Sequence, residues 1–318
     1  MIGDLRRGER ALGLLGSVEV GGALLPSPFM TASGTSGHDV ELSGYMPLER
    51  LGAVVAKSLF HQPWPGNPPP RVHLASAGMI NAVGLQGPGV RKWCEESLPL
   101  LRGIGARVVV SIWGRTVDEY VQAARQVSPV EHQLLAVEVN LSCPNLEGRS
   151  GIIAHDADMS GRVIESVRSE LTAPLWAKLS ANTDRVVGVA RAVSSAGAGA
   201  VVLSNTMLGL QIDPSSGRPT LGNGGGGLSG PAIRPIALRC VHDVHAEMPN
   251  LDIVGVGGIV NGLDAIAMMM AGARAVQVGT ASFARPGATW RVARQAALHA
   301  RRLGRTSWGE VTGSAHLR

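Results

Sequence analysis

A cysteine and two asparagines lie within residues 140–145, which read NLSCPN and follow the apolar run LLAVEV. The thiol of Cys143 could act, once deprotonated, as a nucleophile or as a general base. Hydrolytic cysteines need a partner histidine, and none of the nine histidines lies in a recognisable motif. The alternative is an inert, buried cysteine. Its position in a loop, between Ser142 and Pro144, favours a general base.

Two lysines, Lys57 and Lys178, each end an apolar run. An ammonium group there is costly to bury without a partner, and the alternative is a side chain that reaches solvent. Two lysines directed at one ligand would suit a molecule that is anionic or becomes anionic during a reaction. Other polar residues at the ends of such runs are Ser33, Ser58, Ser111, Asn140, Ser180, Asn205 and Thr206.

Four asparagines carry amides that could donate and accept hydrogen bonds in one pocket: Asn81, Asn140, Asn145 and Asn205. Individually, each could be a turn residue. Together, they would recognise a planar ligand with alternating carbonyl and N–H groups.

Glycines end the last two apolar runs, at Gly257-Gly258 and at Gly279-Thr280. Glycine lets main-chain N–H groups approach an anion closely, whereas the alternative is a requirement for tight turns. We favour a phosphate site, because barrels of parallel strands commonly bind phosphate at the ends of their last two strands.

Eight short apolar runs alternate with longer amphipathic stretches, which predicts an α/β fold with a buried parallel sheet. The runs are at 28–33, 52–58, 106–113, 134–142, 174–180, 199–205, 252–258 and 273–280. The amphipathic stretches are at 89–103, 116–127, 157–170, 185–196, 231–247, 261–271 and 286–303, and the connection near 38–50 is less clear.

This order predicts one (β/α)₈ TIM barrel domain over residues 1–318, with about residues 1–15 as an N-terminal extension and a small hairpin before the first strand. The alternative is an open doubly wound sheet, but no G-x-G-x-x-G motif follows the first strand. The connections after the second and sixth strands are long, and we expect them to lie over an active site at the C-terminal ends of the strands.

Composition narrows the class of protein. The chain is 45% hydrophobic and 17% charged, and its net charge of +5 is spread along the sequence without a nucleic-acid motif. No apolar run reaches the roughly 20 residues that span a bilayer. Three separated cysteines without a C-x-x-C pair predict a cytoplasmic protein that holds no metal or iron–sulfur cluster of its own.

Ten motifs between about residues 18 and 288 give the chain its resemblance to the class 1 dihydroorotate dehydrogenases. They are ASG (32–34), AKS (56–58), GNPPPR (66–71), GMINAVGLQGPG (78–89), NLSCPN (140–145), KLS (178–180), SNT (204–206), GGLSGPAIRP (226–235), GVGGI (255–259) and AVQVGTASF (275–283). The GMINAVGLQ form is most similar to the NAD-linked branch, whose catalytic subunit works beside an iron–sulfur flavoprotein.

The resemblance implies FMN-dependent oxidation of dihydroorotate to orotate in pyrimidine synthesis, in a homodimer or heterotetramer with an FAD-containing electron-transfer subunit. Cys143 would remove the C5 proton while hydride passes from C6 to the flavin N5. Implied FMN contacts are Ser33, Lys57, Ser58, Ser111, Asn140, Lys178, Ser204 and Gly230, with the phosphate at Gly257, Gly258, Gly279 and Thr280. Implied substrate contacts are Lys57, Asn81, Gly84, Leu85, Asn140, Asn145, Asn205 and Thr206.

The chain also departs from the family pattern, at Phe60, Trp64, Ser111, Ala181 and the loop 146–159. These departures leave the physiological electron acceptor open. Two other hypotheses also remain open: a flavoenzyme acting on another dihydropyrimidine, and a barrel that binds FMN or another phosphorylated ligand without redox turnover.

Overall fold

The computed structural model describes residues 2–142, 144–146 and 149–317. The strands in chain order are β1 (Val18–Val20), β2 (Ala23–Leu25), β3 (Phe29–Thr31), β4 (Val54–Val55), β5 (Val72–Ala75), β6 (Gly78–Asn81), β7 (Val108–Ile112), β8 (Ala136–Asn140), β9 (Pro144–Leu146), β10 (Arg149–Ile152), β11 (Leu175–Lys178), β12 (Ala200–Leu203), β13 (Met207–Gly209), β14 (Ile212–Asp213), β15 (Arg218–Pro219), β16 (Gly226–Ser229), β17 (Asp252–Val256) and β18 (Ala275–Val278). The helices are α1 (Ile2–Leu15), α2 (Val90–Gly103), α3 (Val117–Val127), α4 (Ala157–Arg168), α5 (Val186–Ser195), α6 (Arg234–Glu247), α7 (Gly262–Met270), α8 (Ala281–Ala284) and α9 (Ala288–Arg302).

Eight parallel strands form one sheet in the order β3-β18-β17-β12-β11-β8-β7-β4. The two end strands approach each other as well, because the N–H of Gly52 donates to the carbonyl of Phe29 at 2.8 Å and a parallel bridge joins Met30 to Ala53. The sheet is therefore an almost closed barrel with helices outside it, and the predicted (β/α)₈ fold is confirmed. Each strand falls within one of the eight predicted runs.

The barrel interior changes from apolar to polar towards the C-terminal ends of the strands. Side chains two residues apart on a strand share a face. Trp176 and Ala136 are fully buried apolar residues, and two positions further along their strands stand Lys178 and Glu138, also buried. The apolar layer closes the bottom of the barrel, so the polar layer forms the floor of its open mouth.

The two long connections form a second sheet. Its four antiparallel strands have the order β13-β16-β6-β5, with Asn81 of β6 opposite Gly227 of β16. The predicted active-site loops are therefore ordered into a sheet that contributes to the lining of the mouth.

Two features of the N-terminal part of the chain differ from a regular barrel. The connection near 38–50 contains only a 3₁₀ turn at Leu48–Arg50 where a plain barrel would have a helix. The N-terminal extension forms α1, whose Ala11, Leu12 and Leu15 are buried where α1 packs against α9.

Candidate active site

A cavity of about 730 Å³ lies over the C-terminal ends of the barrel strands. It brings together nearly all of the residues that the sequence singled out. Those lining it are Ser33, Lys57, Ser58, Asn81, Gly84, Leu85, Asn140, Lys178, Ser204, Asn205, Thr206, Gly230, Gly257, Gly258, Gly279 and Thr280. Cys143 lies outside the described residues, and so does the side chain of Asn145.

Ser111 is placed differently from its predicted contact with the flavin. It does not line the cavity and is fully buried, with its Oγ 2.9 Å from Ser58 Oγ. Ser111 therefore lies below Ser58, which itself lines the cavity.

Lys178 is held in place by polar side chains of three other strands or strand ends. Its Nζ donates to Ser33 Oγ at 3.1 Å and to Gln277 Oε1 at 3.5 Å, and lies 3.6 Å from Glu138 Oε1. The side chain of Lys178 is 5% exposed and that of Glu138 is 0% exposed. A buried ion pair of this kind fixes the position of the charge at the cavity floor.

Sequence reasoning missed Glu138 and Gln277. The available signal was one polar residue inside each of two otherwise apolar strands, AVEVN and AVQV. A charged or amide side chain at such a position must point into a polar interior, because burial without a partner is costly.

The amides at the mouth bind one another. Asn205 Nδ2 donates to Asn140 Oδ1 at 3.2 Å, and Asn140 Nδ2 donates to Ser58 Oγ at 3.1 Å. Across the mouth, Asn81 Nδ2 donates to the carbonyl of Gly227 at 3.2 Å. The expected set of amides thus has fixed orientations before any ligand binds.

The ends of β17 and β18 present main-chain donors to the cavity. Within the part of the chain that the structure describes, the N–H groups of Gly258, Gly279 and Thr280 donate to no other protein group. A side chain on Gly258, where φ is +71°, would meet Arg234 Cβ at 2.5 Å. The glycine therefore keeps the strand end close to the start of α6, and the free donors fit a phosphate.

Lys57 lies just after β4 and lines the same cavity as the loop that follows β6. Burial lowers the pKa of Lys57, and the positive charge of Arg71 lowers it further. The loop carries Gly84, whose carbonyl accepts a hydrogen bond from Trp64 Nε1 at 2.9 Å, and Leu85 with a φ of +58°. The ammonium of Lys57 and this loop with its fixed conformation together can bind a small anion.

The geometry is thus an anion cradle at the ends of β17 and β18 together with a lysine and oriented amides in the same cavity. A family model described as Dihydroorotate dehydrogenase matches residues 16–297. The chain belongs to the dihydroorotate dehydrogenase family. The resemblance inferred from the motifs is confirmed.

Curated relatives in this family cover most of the chain. The protein of Citrifermentans bemidjiense is 43% identical over 279 residues, which are 88% of this chain and 91% of the relative. That of Desulforudis audaxviator is 42% identical over 300 residues, which are 94% and 97% of the two chains. Both are named dihydroorotate dehydrogenase B (NAD(+)), catalytic subunit.

The departures Phe60 and Trp64 belong to one aromatic cluster. The Phe60 ring stacks on that of Trp113 with 4.7 Å between centroids, and the Trp64 ring meets Trp113 edge-on at 5.6 Å. The guanidinium of Arg115 lies 5.2 Å from the Trp64 ring centroid. Trp64, Trp113 and Arg115 line the cavity, so this dehydrogenase has an aromatic wall there. The sequence pattern did not predict that these residues come together.

Asn182 is a second lining residue that was missed. Its Nδ2 donates to the carbonyl of Thr206 at 3.0 Å, and its Oδ1 accepts from the N–H of Leu208 at 2.7 Å. The residue therefore fixes the segment that leads from β12 to β13. It follows the departure Ala181, which is buried at 8% exposure.

The two described cysteines are poor candidates for the base. Burial raises the pKa of the Cys94 and Cys240 thiols to about 11. Neither lines the cavity. Cys143 remains the cysteine that the sequence assigns to the chemistry.

None of the described helices combines the length and the apolar character that crossing a bilayer requires. Likewise, no group of three or more His, Cys, Asp or Glu side chains in residues 2–142, 144–146 and 149–317 is arranged to hold a metal ion.

Proposed function

We propose that this chain oxidises (S)-dihydroorotate to orotate with FMN as its bound cofactor, as a step of pyrimidine synthesis. The observation that carries the proposal is the joint lining of one cavity by free main-chain donors and by Lys57 with the oriented amides. The first set suits a phosphate and the second a small planar acid. Family membership connects this cavity to dihydroorotate.

FMN fits the residues present. Its phosphate would bind the N–H groups of Gly258, Gly279 and Thr280, which have no protein acceptor among the described residues. Ser33, Ser58, Ser204 and Gly230 would contact the rest of the cofactor. When bound, FMN supplies the hydride acceptor for C6 of the substrate.

Lys178 supports this assignment by its position at the floor of the cavity. Its ammonium is held by Ser33, Gln277 and Glu138, so it does not need to reorganise when negative charge develops above it. Preorganised charge of this kind stabilises the reduced state more than mobile solvent does. We assign Lys178 to the pyrimidine edge of the flavin.

The substrate would lie over the flavin, with its carboxylate at Lys57. Asn81, Asn205 and Thr206 are assigned to its ring amides, together with the side chains of Asn140 and Asn145 and the loop at Gly84 and Leu85. Asn205 already donates a hydrogen bond to Asn140 Oδ1, which sets which atoms of the two amides face the ligand. Preorganisation reduces the cost of ordering the site on binding.

Cys143 is proposed to remove the C5 proton as a thiolate general base. It lies between Asn140 and Asn145, which are assigned to the cofactor and substrate. Its assignment rests on the sequence, and the high pKa values of Cys94 and Cys240 remove the other two cysteines as candidates.

A partner subunit follows from the names of the relatives, which are catalytic subunits of an NAD(+)-linked enzyme. No G-x-G-x-x-G motif follows the first strand of the barrel, where a dinucleotide-binding fold would place it. We propose that electrons leave through an iron–sulfur and FAD-containing subunit, in a cytoplasmic homodimer or heterotetramer.

Binding of orotate should weaken as the pH rises through the pKa of Lys57. The protonated ammonium attracts the carboxylate and the neutral amine does not, and burial with Arg71 places this pKa below the ordinary lysine range. The dissociation constant of orotate, followed through the flavin spectrum from about pH 7 to pH 10, checks this. Constant affinity over this range would argue against Lys57 as the carboxylate partner.

Turnover with an artificial electron acceptor tests the function. The FMN-loaded chain should form orotate from dihydroorotate and be much slower with dihydrouracil, which lacks the carboxylate. Equal or faster turnover of dihydrouracil would assign the chain to another dihydropyrimidine.

A further inference from the structure

Glu138 is a buried carboxylate that the proposed chemistry uses only to hold the ammonium of Lys178. Its side chain is fully buried in the barrel, and its Oε1 lies 3.6 Å from the ammonium of Lys178. An isolated charge at such a position is strongly disfavoured, so the carboxylate depends on its partners.

Three donors converge on this carboxylate. Ser111 Oγ donates to Oε1 at 3.0 Å, Gln277 Nε2 donates to Oε2 at 2.8 Å, and Lys178 completes the set. Gln277 is oriented as a result, because an amide that gives its N–H to Glu138 turns its oxygen towards Lys178.

Glu138 fixes the direction of the hydrogen bonds that lead from it to the cavity, because each serine hydroxyl has only one proton to donate. A carboxylate only accepts, so the one hydroxyl proton of Ser111 is used on Glu138. In the 2.9 Å contact between the two serines, Ser58 must then be the donor. Ser58 Oγ is left to accept from the amide nitrogen of a neighbouring asparagine.

That asparagine is Asn140, whose Nδ2 donates to Ser58 Oγ at 3.1 Å. Its amide oxygen consequently faces Asn205, which donates to it at 3.2 Å. The main-chain N–H groups of Ser142 and Thr206 also donate to the amide oxygens of Asn140 and Asn205, at 3.2 and 2.8 Å, and hold both amides in this orientation. What the buried carboxylate determines is therefore the direction of the Ser58 hydroxyl, whose proton points away from the cavity.

We propose that Glu138 is a positioning residue that turns the hydroxyl proton of Ser58 away from the cavity and balances the charge of Lys178 beneath the flavin. The inference rests on the proposed function. It predicts two separable effects of Glu138: one on ligand affinity through the hydrogen-bond chain, and one on the reduction potential of bound FMN through the ion pair.

Glu138→Gln tests both effects, because it keeps the shape, removes the charge and adds an N–H that can donate to Ser111 and reverse the chain. The midpoint potential of bound FMN should shift to a more positive value, since the charge of Lys178 is no longer balanced. The dissociation constant of FMN should rise about tenfold, because Ser58 would then turn its proton towards the cofactor. The matched control is Glu170→Gln, which removes a carboxylate paired with Arg125 at the surface and should change neither quantity.

Ser111→Ala separates the two effects and serves if Glu138→Gln does not fold. It cuts the chain but leaves the ion pair, so the affinity for FMN should fall while the midpoint potential stays at the wild-type value. Wild-type affinity in Ser111→Ala, or wild-type potential and affinity in a folded Glu138→Gln, would overturn the inference. Failure of the proposed function has a different signature: the wild-type protein would bind no FMN, or dihydroorotate would not reduce it.

Discussion

Replacing Cys143 with alanine should slow the reduction of bound flavin by dihydroorotate by about a hundred- to ten-thousand-fold, the usual contribution of a general base. In the proposed mechanism the thiolate takes the C5 proton as hydride leaves C6, and alanine offers no acceptor. Anaerobic stopped-flow at saturating substrate measures this rate constant directly. The flavin spectrum and the affinity for orotate should change little, because the lost group acts on the proton.

Cys143→Ser gives a sharper test of the same role. A serine hydroxyl ionises far less readily than a thiol, so the rate should be low at neutral pH and rise with pH beyond the range in which the wild-type rate levels off. Cys94→Ala is the matched control, since the thiol of Cys94 has a pKa near 11 and lies away from the cavity. An unchanged rate in Cys143→Ala would remove this residue from the mechanism.

Replacing Lys57 with methionine should weaken binding of orotate by about ten- to a hundredfold, which is the usual cost of losing a charged hydrogen bond. Methionine keeps much of the length and apolar stem of the lysine but carries no charge. Reduction of the flavin by dihydrouracil should change much less, because that molecule has no carboxylate to lose. Titration of the flavin spectrum with orotate gives the affinity.

Lys92→Met is the control for this substitution. Lys92 pairs with Glu96 at 3.7 Å on the surface of α2, and both side chains are largely exposed. Its removal should leave orotate affinity at the wild-type value. If Lys57→Met weakened orotate binding and slowed flavin reduction by dihydrouracil by the same factor, the lysine would shape the loop near Arg71 and would not bind the carboxylate.

The barrel and most of the site could be predicted because both follow from local patterns. Buried parallel strands form continuous apolar runs, and the residue after each run must lie at the mouth. Lys57, Lys178 and Asn205 were found in this way, and the structure places all three in one cavity.

The buried network could not be predicted in the same way. Glu138 and Gln277 come from strands that are distant in the sequence, and their pairing depends on the strand order of the closed barrel. Ser111 ends a run and was assigned to the flavin through the family resemblance, yet its side chain is covered by Ser58. A one-dimensional pattern gives the face of a strand but not the depth of a residue below the mouth.

Loop-borne residues were also missed. Trp113, Arg115 and Asn182 follow strand ends without a motif, and their contacts arise between different loops. The aromatic cluster needs Phe60 and Trp64 from one connection and Trp113 from the next. Such contacts depend on loop conformation, which periodicity does not describe.

The central claim is that this chain takes hydride from dihydroorotate in the cavity over the barrel. Its most direct test is to mix the FMN-loaded chain, without any partner subunit, with one equivalent of L-dihydroorotate under anaerobic conditions. We expect rapid bleaching of the oxidised flavin with formation of orotate in equal amount. A flavin that stays oxidised with dihydroorotate, while dithionite still reduces it, would contradict the assignment of dihydroorotate as the substrate.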